Sequence, residues 1–166
     1  MAKIRTDLPF VIPTTNQLPD KATVQNTGVT MQMPLRLGLK RDGSDLWTLP
    51  IEPLISMRGR NIIVRRNISK KKGIGSVKEI WSQDDYTIRI RGIFMSSVEG
   101  EMPESNLSTL KQLLEAKQSL TISCKLTDIM GVTLFAPEEW ELPETSGLKN
   151  QYFQISGYSD QDFELI

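Results

Sequence analysis

Side chains able to do chemistry are few in this chain of 166 residues. There is no histidine, which removes the commonest general base and the commonest metal ligand of proteins. The only cysteine, Cys124, lies in an apolar run, where a small buried residue is expected rather than a nucleophile. One cysteine cannot form a disulfide within the chain or supply a zinc site of the usual spacing. We therefore expect no catalytic residue, no metal and no cofactor, and predict that the protein is not an enzyme.

Three weaker motifs resemble active or ligand sites without meeting their requirements. Residues 73–76 read G-I-G-S after three lysines, but a phosphate loop has the order G-x-x-x-x-G-K-[ST] and opens a helix. The glutamates at positions 138, 139, 141 and 144 lack the order of a calcium-binding loop, so a solvated acidic loop is expected. A hydrolase of cell-wall glycans would need two paired carboxylates, and nothing selects one pair among 20 acidic residues.

A basic cluster within residues 58–72 is the strongest feature of the sequence. Such clusters attract nucleic acids, acidic proteins or anionic membranes. Proteins that bind single strands also stack bases on exposed aromatic side chains, and no aromatic residue lies between positions 58 and 80. We therefore predict a protein interface here and keep single-stranded nucleic-acid binding as the alternative. The members of the cluster are Arg58, Arg60, Arg65, Arg66, Lys70, Lys71 and Lys72.

The net charge of zero hides a division between the two halves of the chain. Residues 1–80 hold 14 lysines and arginines against 6 acidic residues, and residues 81–166 hold 6 against 14. One interpretation is head-to-tail assembly, in which a basic face of one copy meets an acidic face of the next. The other is that the halves neutralise each other inside one fold.

The elements around these residues are organised on the stretch from residue 76 to residue 114. Residues 76–82 and 86–95 have the composition of strands, and the second alternates apolar with polar side chains. With Asp84-Asp85 as the turn, they predict a hairpin with one buried face. Pro103 then opens an amphipathic helix over about residues 103–117, packed on that face. The predicted core consists of Ile88, Ile90, Leu107, Leu110, Leu113, Leu114 and Ile122.

The remaining segments add strands to this unit and define the predicted domains. Residues 46–57 contain two prolines, which favour an edge strand or an irregular crossing. Residues 60–68, 119–126, 132–135, 139–142, 152–158 and 163–166 also have strand patterns. We therefore predict an α+β fold, mainly antiparallel β with one helix, in a single β-rich domain over residues 46–166. Residues 1–45 are predicted to form an extended N-terminal arm or irregular segment, which lies on another subunit or on the edge of its own sheet, with a partly disordered tail as the alternative. No apolar run is long enough to cross a bilayer or to form a signal peptide, so a reducing cytoplasm is expected.

Four stretches of the sequence, taken in order, also resemble a known family. They are G-R-N-I-I-V-R-R-N from residue 59, G-S-V-K-E-I-W-S-Q-D-D-Y-T-I-R-I-R-G-I-F from 75, P-E-S-N-L-S-T-L-K-Q-L-L-E-A-K-Q-S-L-T-I-S-C-K-L from 103 and N-Q-Y-F-Q-I-S-G-Y-S-D from 150. Over about residues 46–166 the chain resembles a family of proteins encoded by Bacteroidetes phages and prophages. More distantly, it is similar to small tail and baseplate proteins of contractile phages and phage-like injection systems, including adaptors that carry a LysM module.

The resemblance implies a structural role without turnover. It implies a component of a phage or phage-like contractile tail, at the baseplate hub or tube end, that joins the inner tube to the surrounding baseplate. The implied partners are tube, hub, wedge or sheath proteins, with a ring of identical copies, six around the tail axis, and no membrane. The implied location is the virion tail or injection particle, assembled in the bacterial cytoplasm. This sequence shows no recognisable LysM segment, so adaptor, tube-end protein and tail-completion protein all stay open.

Overall fold

The computed structural model describes residues 29–67, 76–98, 101–145, 147 and 149–161. These residues form a seven-stranded antiparallel sheet, a separate two-stranded ribbon and two short helices. The predicted α+β class, mainly antiparallel β, is therefore confirmed. The elements are β1 (Arg36–Gly38), β2 (Trp47–Thr48), β3 (Leu54–Arg58), β4 (Asn61–Arg66), β5 (Val77–Gln83), β6 (Thr87–Met95), α1 (Glu104–Leu114), β7 (Leu120–Ser123), α2 (Lys125–Met130), β8 (Leu134–Glu141) and β9 (Asn150–Asp160).

The large sheet is strongly curved. The evidence is that its two edge strands, β2 and β3, follow one another closely in the chain. The strand order is β2-β1-β7-β8-β9-β6-β3. Six strand spacings would separate the edges of a flat sheet by about 29 Å. The connection over residues 49–53 spans at most about 22 Å even when fully extended. Trp47 of β2 and Phe94 of β6 indeed pack together, with 6.1 Å between their ring centroids. The sheet thus wraps around its own core, and the proline-containing segment supplies edge strands as predicted.

One hydrophobic core fills the concave face of this sheet. It contains Ile88 and Ile90 of β6, which alternate with exposed Thr87, Arg89 and Arg91 as the period of two predicts. The facing strands add Phe135 of β8 and Phe153 and Ile155 of β9. Of the predicted core, Ile88, Ile90, Leu110, Leu113, Leu114 and Ile122 are buried, and Leu107 is partly buried against the others.

Helix α1 lies within the predicted range, whereas α2 was not predicted. The alternation of apolar residues suggested a strand that continues to Leu126, but β7 ends at Ser123. The reason is a capping box: the Thr127 N–H donates to the Cys124 sulfur, and the Cys124 N–H donates to the Thr127 hydroxyl. These bonds satisfy donors at the start of α2 and redirect the chain. Cys124 is buried, as expected.

The predicted hairpin of residues 76–82 and 86–95 is wrong in its pairing. Strand β5 pairs with β4 in the two-stranded ribbon, and β6 pairs with β3 and β9 in the large sheet. Asp84 and Asp85 do not reverse the chain. The Asp84 N–H instead donates to the Arg60 carbonyl oxygen at 2.8 Å, which carries the antiparallel ladder from one sheet into the other.

The predicted N-terminal arm over residues 1–45 needs a correction at its carboxyl end. Strand β1 lies inside the large sheet between β2 and β7, with Leu37 fully buried. Residues 32 and 33 are also fixed, since their N–H groups donate to the Glu52 carboxylate at 3.0 and 2.9 Å. Burial of apolar side chains holds residues 31–38 on the sheet. Residues 1–28 of the predicted arm and the predicted strand 163–166 lie outside the described residues.

Candidate interaction site

Residues 54–66 and 77–95 form a long pair of antiparallel segments, one part of which lies outside the large sheet. Its inner half, β3 paired with β6, belongs to the large sheet. Its outer half, β4 paired with β5, forms the two-stranded ribbon beyond the end of that sheet. We refer to β4 and β5 as the ribbon. Six residues of β4 correspond to a projection of about 20 Å.

The base of the ribbon is held by an ion pair. The Arg60 guanidinium donates from Nε to the Asp84 carboxylate at 3.0 Å, and its second nitrogen contacts the same oxygen. This hydrogen bond, followed by one from the Asp85 N–H, lowers the pKa of Asp84 below its ordinary value of 3.8. Next to the pair, the ring of Tyr86 lies over Gly59, so close that a Cβ there would stand 2.8 Å from the ring.

The ribbon exposes several large apolar side chains. Ile63 lies opposite Ile80, and Ile62 lies opposite Ser82, with a register shift that places Trp81 at an irregularity between them. Ile80 and Trp81 are each 69% exposed. Monomeric proteins rarely leave such a group of large apolar residues uncovered, so this surface has the properties of a contact site.

The structure places four of the seven predicted interface residues, and all four are exposed. Arg65 and Arg66 lie on β4, and Arg60 lies at the base of the ribbon. Arg58 ends β3 in the large sheet, where it pairs with Thr87. Two of the four form ion pairs: Arg60 with Asp84, and Arg66 with Glu79 at 3.5 Å. Lys70, Lys71 and Lys72 lie outside the described residues.

The apolar half of this site, Ile63, Ile80 and Trp81, was missed by the sequence reasoning. No aromatic residue lies between positions 58 and 80, and Trp81 is the next residue. Pairing of β4 with β5 brings Trp81 onto the same two-stranded element as Arg65 and Arg66. A signal for this exposed apolar surface was present in two runs of the sequence, N-I-I-V-R-R and V-K-E-I-W-S. Each run contains apolar residues next to each other. In a half-buried strand these would alternate with polar residues.

A second feature is an apolar groove between α1 and strands β8 and β9, which we call the α1 groove. It encloses about 420 Å³, within the range of ligand-sized clefts. Leu107, Leu110 and Leu114 form its helix side, and Phe153 and Ile155 form its floor. At its mouth lie Trp140, which is 48% exposed, and Leu142, which is 54% exposed.

The charged residues that line the α1 groove are two glutamates and one lysine. Residues 138–145 contain four exposed glutamates, of which Glu141 lines the groove. Glu115 of α1 also lines the groove and is paired with Lys111 at 3.9 Å. The groove lining therefore has one more acidic than basic residue, whereas the ribbon has more basic than acidic residues.

The structure also locates the cysteine thiol and the potential metal ligands among the described residues. No three His, Cys, Asp or Glu side chains gather into a potential metal site among them. The Cys124 thiol is buried and accepts the Thr127 N–H at 3.4 Å as the N-cap of α2. Neither of the two helices in this part of the chain is long and apolar enough to span a bilayer.

Comparison with known proteins identifies the family of this chain. No curated protein matches the sequence. A family model described as a domain of unknown function, DUF6046, matches residues 48–166, from β2 through β9 and beyond. This match includes the ribbon and the α1 groove. The chain therefore belongs to the DUF6046 family.

Proposed function

We propose that the protein is a structural component of a contractile phage tail or a phage-like injection machine. In this proposal it lies at the baseplate hub or tube end and joins the inner tube to the surrounding baseplate. The observation that carries an assembly role is the ribbon, with Ile80, Trp81 and Arg65 exposed on one projecting element. The assignment to a phage tail or injection machine comes from the resemblance to Bacteroidetes phage and prophage proteins.

The ribbon favours a contact role for an energetic reason. An isolated two-stranded hairpin is only marginally stable in water. Covering Ile63, Ile80 and Trp81 with a partner would remove apolar surface from water at about 25 cal/mol per Å². Tryptophan and arginine are also the residues that dominate binding energy in protein interfaces. A ribbon of this composition is therefore suited to a protein partner that covers it.

The proposed partners are tube, hub, wedge or sheath subunits, together with further copies of this chain in a ring. Six copies around the tail axis follow from the resemblance. The charge division supports contacts between unlike faces, because arginines lie on β4 and β6 and glutamates lie on β8. Such a protein acts by shape and charge, without turnover, in a particle assembled in the bacterial cytoplasm.

Purified particles test this proposal. Mass spectrometry should find the chain in intact tails, and cryo-electron microscopy should place it at the tube end or baseplate. A variant with Arg65→Ser, Arg66→Ser and Trp81→Ser should fold and yet fail to enter particles. Lys125→Ser with Lys149→Ser, which removes two exposed cations elsewhere, is the matched control and should assemble normally. Absence of the chain from intact tails would contradict the proposal.

A second candidate function, single-stranded nucleic-acid binding, is favoured by Trp81. An exposed tryptophan on the same ribbon as Arg65 and Arg66 is a combination that can stack a base and contact phosphates along the strand. Binding of this kind weakens steeply with salt, since each phosphate contact releases counterions. Titration of the full chain with a fluorescent oligonucleotide at several salt concentrations would measure it. A negligible salt slope, or equal affinity for the Trp81→Ser variant, would exclude this function.

A further inference from the structure

The α1 groove and the ribbon are complementary surfaces of one chain. The groove offers an apolar floor and a lining with two glutamates, Glu115 and Glu141, against one lysine, Lys111. The ribbon offers exposed apolar residues, Ile80 and Trp81, beside the cations of Arg65 and Lys78. An apolar centre with opposite charges around it is the pattern of a specific protein contact.

The ribbon is directed away from the groove of its own copy. It leaves the large sheet at Thr87, the first residue of β6, which pairs with Tyr158 of β9. The groove lies farther along the same pair of strands, where Ile90 faces Ile155 and Gly92 faces Phe153. The two surfaces therefore lie in opposite directions from the start of β6.

A fold-back of the ribbon within one copy would break its base. The chain would have to reverse at residues 59–60 and 84–86. There the Asp84 N–H donates to the Arg60 carbonyl oxygen, and the two side chains form the ion pair. The Tyr86 N–H also donates to the Ser159 hydroxyl at 2.9 Å, which fixes the start of β6 against β9. A second copy can present its groove without disturbing these bonds.

We propose that the ribbon of one copy docks in the α1 groove of a neighbouring copy, through Ile80 and Trp81 against Trp140 and Leu142. Arg65 and Lys78 then lie near Glu141. Because the two surfaces differ, the contact is heterologous, and repeating it gives a ring or a filament. This inference rests on the assembly role proposed above and names one partner, an identical chain.

Two pairs of substitutions in the full chain test the contact from its two sides. The ribbon variant carries Ile80→Ser and Trp81→Ser, and the groove variant carries Trp140→Ser and Leu142→Ser. All four side chains are exposed, so both variants should keep the fold, which circular dichroism checks. Ile129→Ser with Met130→Ser, two exposed apolar neighbours on α2, is the matched control.

Sedimentation velocity then measures association. Wild type and control should self-associate equally, and each test variant should associate about 30-fold more weakly, as expected when central contacts are lost. An equimolar mixture of the two variants should form dimers and stop there, since it contains one intact ribbon type and one intact groove type. A mixture without dimers, a groove variant that associates like wild type, or a wild type that stays monomeric at the highest attainable concentration would overturn the inference.

Incorporation into particles separates this inference from the proposed function. If the groove variant enters tails normally and the ribbon variant does not, the ribbon contacts a different subunit; the inference then fails while the assembly role stands. If the chain is absent from tails but the mixed variants form dimers, the contact is real and the assigned particle is wrong.

Discussion

Strands β5 and β6 follow one another in the chain and differ in their surroundings. Strand β6 lies between β3 and β9, and its Ile88 and Ile90 are fully buried. Strand β5 pairs with β4 alone, and its Ile80 is mostly exposed. Both strands have β-branched residues at these positions. The difference shows that residue pattern specifies a strand, whereas burial depends on a second neighbouring strand and on a layer packed beneath it.

The largest expected effect is the difference in unfolding free energy between substituting a buried isoleucine of β6 and an exposed isoleucine of β5. Ile90→Ala should lower the free energy of unfolding by about 2–5 kcal/mol, because it leaves a cavity in the core. Ile80→Ala should stay within about 0.5 kcal/mol of wild type, because the side chain is already in water. Urea denaturation of both variants measures this contrast. Equal losses would mean that the ribbon is covered in the free protein and that the comparison is mistaken.

Two glycines extend the comparison from side chains to the backbone. A Cβ at Gly157 of β9 would lie 2.1 Å from the Ala136 carbonyl oxygen, so strands β8 and β9 must move apart. We expect Gly157→Ala to cost about 1–3 kcal/mol in the free energy of unfolding. At Gly59 the obstacle is the ring of Tyr86, a side chain that can rotate, so Gly59→Ala should cost below about 1 kcal/mol. Thermal melting of the two variants ranks them, and the reverse order would show that the ribbon base is the more rigid region.

The smallest expected effect is an acid response confined to the ribbon. The Arg60 hydrogen bond lowers the pKa of Asp84, so the stabilisation from this pair is present above pH 3.8 and is lost as the pH falls through the lowered value. Hydrogen exchange of the β4 and β5 amides, followed from about pH 6 to 3, should reveal this local loosening. Asp84→Asn should remove the acid dependence and leave the amides of β6 unchanged. An identical acid response in wild type and Asp84→Asn would rule out this cause.

Much of the fold could be predicted from local patterns. The alternation in β6 and the leucine spacing in α1 are periodic over enough residues to specify both type and buried face. The missed helix α2 is six residues long, and its N-cap is a cysteine. Serine, threonine, aspartate and asparagine are the usual caps, so the start signal could not be read. The left-handed Gly131 at its end, with φ of 71°, was the one readable signal.

The candidate site depended on information that is not local. Asp84-Asp85 has the composition of a turn, yet whether a chain reverses there is decided by which strand offers free hydrogen-bonding groups. Here β3 and β9 pair with β6, and β4 pairs with β5. The basic cluster could be read from the sequence, but its position on a projecting ribbon with Trp81 could not. Likewise, the α1 groove joins residues from three separate segments of the chain.

The long pair of antiparallel segments, residues 54–66 and 77–95, has a mechanical consequence. Both strands of the ribbon continue by covalent backbone into β3 and β6, so a pull on β4 and β5 is transmitted lengthwise along the large sheet. Strand β6 is matched to β9 over nine residue pairs, from Thr87 with Tyr158 to Met95 with Asn150. A lengthwise load acts on all of these pairs in shear, rather than opening them one after another. The ribbon is therefore anchored as a tension-bearing tether.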